Sequence, residues 1–327
     1  MRAVKSLLLA AGVVGLGYLV YRIGAGPLVD ALSRLAWWQF VLVCLPYGLT
    51  SAVDTLGWRF AFSNNQPSYW RLFGARLAGE ALNIVTAVGS VGGEAVKAWL
   101  IRRDVTYEES VPSVVIAKTT IVIAQAIFLV LGLAIAWLTL PGDSSLLSGM
   151  LWLLAIEIVA VGGFVGAQVT GLIGRMGRLL ARVGVVAAPE YAEQLDRTLR
   201  DYYHRERNRF TLSVAFHTLG WLFGALEAFV TLWALGMGAN PLAAIVIEAF
   251  GSGVRFASFM VPASLGVFEG ANAGAFSAIG YGAAAGLAFS LVRRARQMVW
   301  IGIGVLALVW MRWSDSKDEA RHSSVAA

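Results

Sequence analysis

Acidic and basic side chains recur at helical spacing inside stretches that are otherwise apolar. Arg76 and Glu80 are four residues apart and Glu94 and Lys97 three apart, so each couple falls on one face of a helix. Between the couples stand Gly89, Ser90, Gly92 and Gly93. An unwound backbone there presents free N–H groups, and the helix that follows offers its N-terminus to an anion. The chemistry is therefore anion binding, with a phosphate-bearing group as the fitting ligand. For Glu94 alone, capping of that helix is the competing reading.

Further charges lie within or beside apolar runs: Lys118, Glu157, Glu227, Glu248, Arg255, Glu269 and the trio Arg293, Arg294 and Arg296. Each costs about 2.5 to 3.5 kcal/mol at the centre of a membrane helix on insertion scales, so they must face a protein interior or a watery cavity. Ser264, Gly266 and Glu269 sit in a second glycine-bearing break, beside Pro262. Backbone N–H groups at Gly92, Gly93 and Gly266, together with Lys97, Lys118 or Arg255, are expected to hold the anion. Ser90, Glu94, Ser264 and Glu269 join them in the expected binding set, and Arg76, Glu80, Glu248, Arg293 and Arg294 are expected to pair charges or carry protons. Glu157 and Glu227 are expected to be satisfied by hydrogen bonds between helices rather than to relay protons. For the arginine trio, the alternative is snorkelling to an interface.

The elements that must position these groups follow from composition. Of 327 residues, 58% are hydrophobic and only 14% charged, which is the balance of an all-α polytopic membrane protein rather than a soluble domain. The net charge of +6 does not indicate a nucleic-acid partner, because the basic residues fall between the apolar runs, where they set topology. Cys44, the sole cysteine, excludes an intramolecular disulfide. Runs long enough to span the bilayer lie at 4–23, 36–62, 112–140, 146–174, 210–237 and 286–312, giving about six full spans. The regions 72–104 and 242–284 are apolar but interrupted, and each reads as a broken, re-entrant helical hairpin.

Arg2 and Lys5, and the eight arginines of the 175–209 connection, place both flanks in the cytoplasm, as do Arg312, Lys317 and Arg321 for the C-terminus. The first run lacks a following small-residue cleavage site and reads as an uncleaved anchor. With these assignments the two hairpins enter from opposite faces, and units 36–140 and 210–312 form an inverted repeat, the pattern of secondary transporters with a site near the midplane. Residues 1–313 then make a single transmembrane domain and 314–327 a short cytoplasmic tail. Segment 175–209, with Leu179, Leu180 and Val183 among arginines, reads as an amphipathic helix on the anionic inner leaflet.

The stretch Gly79-Glu80-Ala81-Leu82-Asn83, then Val88 to Gly93, then Glu94-Ala95-Val96-Lys97-Ala98-Trp99-Leu100 and Arg102-Arg103, resembles the first signature of the flippase-like family that includes the transmembrane region of bacterial lysylphosphatidylglycerol synthase. Pro262 to Gly270 resembles its second signature, and the hopanoid-biosynthesis-associated members are a similar subgroup. The resemblance implies a multi-pass protein of the bacterial inner membrane, without cofactor or metal, that moves an amphipathic lipid, phosphate-bearing or polycyclic, between leaflets. Where the family often has Glu-Arg in the following helix, this chain has Lys118-Thr119-Thr120, which bears on which headgroup is read. Lipid-aminoacylating members carry a soluble domain after the membrane part, so the short stretch after Trp313 implies no such activity. An enzyme is not expected: His217 with Gly251-Ser252-Gly253 would make a serine dyad, but no hydrolase motif surrounds them. The competing class is a non-transporting scaffold for lipid-biosynthesis enzymes, and a second copy of the chain is a further expected partner.

Overall fold

A computed structural model describes residues 21, 25–33, 35–63, 66–85, 91–182 and 190–325. Within them every regular element is helical, since only a helix satisfies its own backbone in hydrocarbon without a closed barrel. Five helices are long and apolar enough to cross a membrane: α2 (Trp37–Phe60), α5 (Tyr107–Thr139), α6 (Ser145–Val169), α9 (Arg207–Ala234) and the Ala283–Ser316 part of α12 (Ala283–Val325). These match five of the six expected runs; the sixth, 4–23, lies outside the described residues except for Tyr21, and Ser90 lies outside them too. A short α1 (Ala25–Ser33) precedes α2. The two interrupted regions are each a pair of shorter helices, α3 (Tyr69–Val85) with α4 (Val91–Leu100), and α10 (Pro241–Ala257) with α11 (Val267–Ile279).

Two apolar cores lie at opposite ends of the bundle. One gathers Trp58, Leu72, Ala98, Ile116, Leu199 and Met311; the other gathers Val43, Leu232, Ile247, Phe276 and Phe289. Along α2 the order is Val43, the polar run Tyr47 to Asp54, then Trp58. Along α12 it is Phe289, then Arg293 to Gln297, then Met311. In α9 the order is reversed, from Phe210 through His217 and Glu227 to Leu232. A polar layer is thus held between two apolar ends. Both arms of the α3–α4 hairpin pack in the first core, and both arms of the α10–α11 hairpin in the second. A third core, with Phe128, Met150 and Ala249, joins α5, α6 and α10.

Outward-facing surfaces carry Ile127, Val130 and Leu138 on α5, Ile156 and Val159 on α6, and Leu306 and Val309 on α12. Exposed Trp37, Trp137, Trp152 and Trp313 add the amphipathic rings that favour membrane interfaces. The 175–209 connection folds differently from a single helix lying on a leaflet. It forms α7 (Leu172–Arg182) and α8 (Glu190–Arg205), and α8 buries Asp196, Leu199 and Tyr202 against the first core, while Asp196 Oδ2 accepts from the Gly174 amide at 2.6 Å. The expected tail is also helical: α12 runs through Val325, and Asp315 binds Arg71 at 2.8 Å at the base of the first hairpin.

Glycines set the closest approaches. A Cβ at Gly79 would stand 2.8 Å from the carbonyl oxygen of Gly93, and one at Gly93 would overlap the Gly79 carbonyl and the Asn83 amide. The arms of the first hairpin therefore touch backbone to backbone. In the second break Ala263, Ser264 and Gly266 take positive φ values of 50°, 51° and 79°; the left-handed conformation costs a non-glycine residue roughly 1–2 kcal/mol. That turn is held by the Ser258–Ser264 hydroxyl bond of 2.8 Å and by Arg294 Nη1 donating to the Ala263 carbonyl at 2.7 Å. Asn240 caps α10 by accepting from the Leu242 amide at 2.9 Å, with Pro241 in the first turn.

Gly93→Ala should lower stability by about 1–3 kcal/mol through overpacking, whereas Gly162→Ala, with no atom within 4 Å of its Cβ, should leave it unchanged or slightly higher. Thermal unfolding of the two variants in detergent, read by intrinsic tryptophan fluorescence, separates these outcomes.

Candidate functional site

The polar layer encloses a cavity of about 420 Å³. Its wall draws on the middle of α2, the end of α3, α9, α10, the 259–264 break and the α12 arginines. The charged groups are tied across helices. Arg293 of α12 binds Glu227 of α9 at 3.0 Å and also binds Glu248 of α10; Arg296 binds the same Glu227 at 2.7 Å. Arg255 reaches Glu248 at 2.8 Å, and Arg294 reaches Glu269 at 2.7 Å. Thus the arginine trio turns inward instead of snorkelling, and Glu227 links helices as expected.

On α3, Arg76 binds both Asp54 and Glu80 at 2.6 Å, and Tyr47 donates to Glu80 at 2.7 Å. Asp54 also meets His217 Nδ1 at 2.9 Å. The His217 ring fits because position 57 is glycine: a Cβ there would lie 2.7 Å from its Nε2. His217 is thus committed to Asp54 and not to Ser252, whose hydroxyl donates to the Ala249 carbonyl at 2.8 Å, so no serine dyad forms. Asp54 carries the same signal as the other intramembrane charges, an acid inside an apolar run, yet stands outside the expected site; Tyr47 and His217 become functional candidates only through the tertiary contacts they make.

A second cavity, of about 110 Å³, adjoins the first and is lined by Lys97, Lys118 and Glu94. Glu94 binds Lys97 at 3.2 Å and Lys118 at 3.9 Å, and accepts from Asn83 at 3.3 Å. The expected single binding set is therefore divided: Lys97, Lys118 and Glu94 face the smaller cavity, whereas Arg255, Arg293, Arg294, Glu248 and Ser264 face the larger. Two backbone donors expected to hold an anion are already spent. The Gly93 amide donates to Asn83 Oδ1 at 2.8 Å and the Gly266 amide to Glu269 Oε2 at 2.7 Å, because breaks in a buried chain must satisfy their own N–H groups. Neither glycine lines either of these two cavities, and neither does Gly92, in the first turn of α4. Glu269, fully buried, caps α11 and holds Arg294 from behind.

Side-chain exposure differs among the pairs: in Arg76–Glu80 and Lys97–Glu94 the carboxylate is the more exposed partner, 20% against 8% and 9%, and in three others it is the cation. Arg255 is 34% exposed and its partner Glu248 2%; Arg294 is 18% exposed and Glu269 0%; Lys118 is 43% exposed and Glu94 20%. In these three pairs the cation is the more exposed partner. Arg255 uses one nitrogen on Glu248 and lies 5.0 Å from the centre of the Phe268 ring, which leaves guanidinium donors for an oxyanion. Glu157 differs from expectation: it is fully buried, and neither carboxylate oxygen has a hydrogen-bond partner among the described residues. Its helix, α6, packs lightly on the bundle and brings no cation to it.

Among the described residues no cluster of histidine, cysteine and carboxylate side chains could hold a metal ion. A sequence profile described as the lysylphosphatidylglycerol synthase TM region matches residues 4–305. No curated protein and no solved structure matches the chain.

Removing Glu227 would strand Arg296 and leave Arg293 with Glu248 alone, so Glu227→Ala should cost about 3–5 kcal/mol, as for other broken buried pairs, and reduce the yield of folded protein. Lys118→Ala, at a partly exposed pair, should change stability by less than about 1 kcal/mol. Size-exclusion profiles and thermal unfolding of the purified variants check both.

Proposed function

The chain belongs to the lysylphosphatidylglycerol synthase transmembrane-region family, and from that premise we propose that it moves an amphipathic lipid with an anionic, phosphate-bearing headgroup between the leaflets of the bacterial inner membrane. The observation that carries this reading is the order of exposure in two pairs at the larger cavity: Arg255 and Arg294 line it and are more exposed than Glu248 and Glu269, which hold them. Such a surface attracts an oxyanion without an uncompensated buried charge when empty, because each arginine keeps a carboxylate. Phe259 and Met260, both exposed, belong to the wall of the larger cavity and offer apolar contact where acyl chains would remain in the bilayer.

The two hairpins, anchored in cores at opposite ends of the bundle, support an inverted repeat with six spans, the run 4–23 included, and re-entrant breaks that meet near the midplane. The arginines of the 175–209 connection favour cytoplasmic termini. In this reading the protein makes and breaks no covalent bond. Headgroup binding replaces part of the pairing to Glu248 and Glu269, and the glutamates re-form those pairs once the lipid leaves.

Arg255→Ala should abolish movement of fluorescent anionic phospholipid in proteoliposomes while the protein remains folded, since Arg255 makes one protein ion pair and faces the space. Equal movement by Arg255→Ala and the unaltered chain would remove this assignment. Movement no faster than in protein-free vesicles, with neutral, anionic and polycyclic lipids alike, would favour the scaffold, with the charges acting only in packing.

A further inference from the structure

The two cavities are stacked along the bundle and share one wall. On α2 the larger takes Tyr47, Ser51 and Asp54 and the smaller takes Trp58, one turn further on; on α5 the smaller takes Val114, Ala117 and Lys118 and meets the larger only at Ile121. Arg76, Glu80 and Asn83 border both. The wall is held from both sides: Arg76 binds Asp54 and Glu80, Tyr47 binds Glu80, and Asn83 ties the α4 amide of Gly93 to α3. Each cavity also presents its own cations, Arg255 and Arg294 in one, Lys97 and Lys118 in the other.

We infer that the smaller cavity is a second binding station for the same phosphate-bearing headgroup, and that the Arg76–Glu80 pair is the partition between the two stations. This rests on the transport reading above. The chemistry of the partition follows from unequal anchoring of one arginine. Asp54 is 5% exposed and held also by His217, whereas Glu80 is 20% exposed and its other partner is the Tyr47 hydroxyl. A phosphate arriving from either cavity competes with Glu80, not with Asp54, for the guanidinium. Arg76 then stays attached to α2 while the Arg76–Glu80 contact opens, and a phosphate offers the guanidinium charge-assisted bonding in place of what the carboxylate gave. The arginine is therefore reached from both sides in turn, and the headgroup need never leave a cationic surface on its way.

The test is sided access, which requires no lipid movement. In a Cys44→Ser background, Gln297→Cys reports the larger cavity and Ala117→Cys the smaller, with a membrane-impermeant anionic thiosulfonate added to either side of oriented proteoliposomes. The expected result is that the two cysteines label from opposite faces, that the anionic reagent is faster than its cationic analogue at both, and that inorganic phosphate slows it at both. Glu80→Gln should let each cysteine label from both faces; Tyr47→Phe, which removes one hydrogen bond and keeps the ion pair, should do so partially if the first variant does not fold. Labelling of both cysteines from one and the same face, or sidedness unchanged in a folded Glu80→Gln protein, would overturn the partition. Absence of phosphate protection at Ala117→Cys would overturn the second station. Opposite-face labelling in a chain that moves no lipid would leave the partition standing and remove the transport reading instead.

Discussion

A charge buried in a membrane bundle must have a partner, and the rest of this structure is arranged around that requirement. Several interior ion pairs join helices: α12 to α9 and α10 through Arg293, α12 to α11 through Arg294, and α3 to α2 through Arg76. Each pair fixes the rotation of two helices about their axes, because a carboxylate turned away would leave a buried guanidinium alone at a cost of several kcal/mol. Apolar packing alone specifies rotation weakly in a chain whose outer faces are as apolar as its inner ones. The polar layer supplies the distinction between inside and outside that the hydrophobic effect supplies in water.

That layer needs room, and glycine provides it. His217 can lie against α2 only because position 57 lacks a side chain, and the first hairpin can bring Asn83 to the Gly93 amide only because Gly79 and Gly93 let backbone meet backbone. The second hairpin reaches the layer by another route. Its turn uses left-handed residues at 263, 264 and 266, which Glu269, Ser258 and Arg294 hold in place. The same side chains that shape the break thus also set the cations at the cavity wall, so the site and the fold draw on one set of interactions.

The order of exposure within the pairs has a functional sense that pairing alone does not. Had Glu248 and Glu269 been the more exposed partners, with Arg255 and Arg294 behind them, the same pairs would have favoured a cation instead. The elements decide this: Glu248 and Glu269 lie on faces of α10 and α11 that pack inward, while Arg255 is near the end of α10, beside the break. Long, flexible arginine side chains reach past short acidic ones toward the open space.

Much of this was legible in the residues themselves. The spans, the two interruptions and the pairs at helical spacing, Arg76 with Glu80 and Glu94 with Lys97, depend only on local periodicity and on the cost of charge in hydrocarbon, which act along the chain. The family resemblance also rested on contiguous residues, Gly79 to Arg103 and Pro262 to Gly270. Which distant charges meet was not legible, because Glu227 can equally face a watery cavity or any of several cations until the helices are packed. Nor was the fate of the break amides at Gly93 and Gly266, taken up by Asn83 and Glu269, or the partnership of Asp54 with His217 across 163 positions. The sequence by itself determined a membrane-embedded helical protein with costly charges at two breaks. The tertiary structure decided that those charges form two cavities with a common wall, since burial, rotation and pairing across helices are properties of packed elements and not of any one segment.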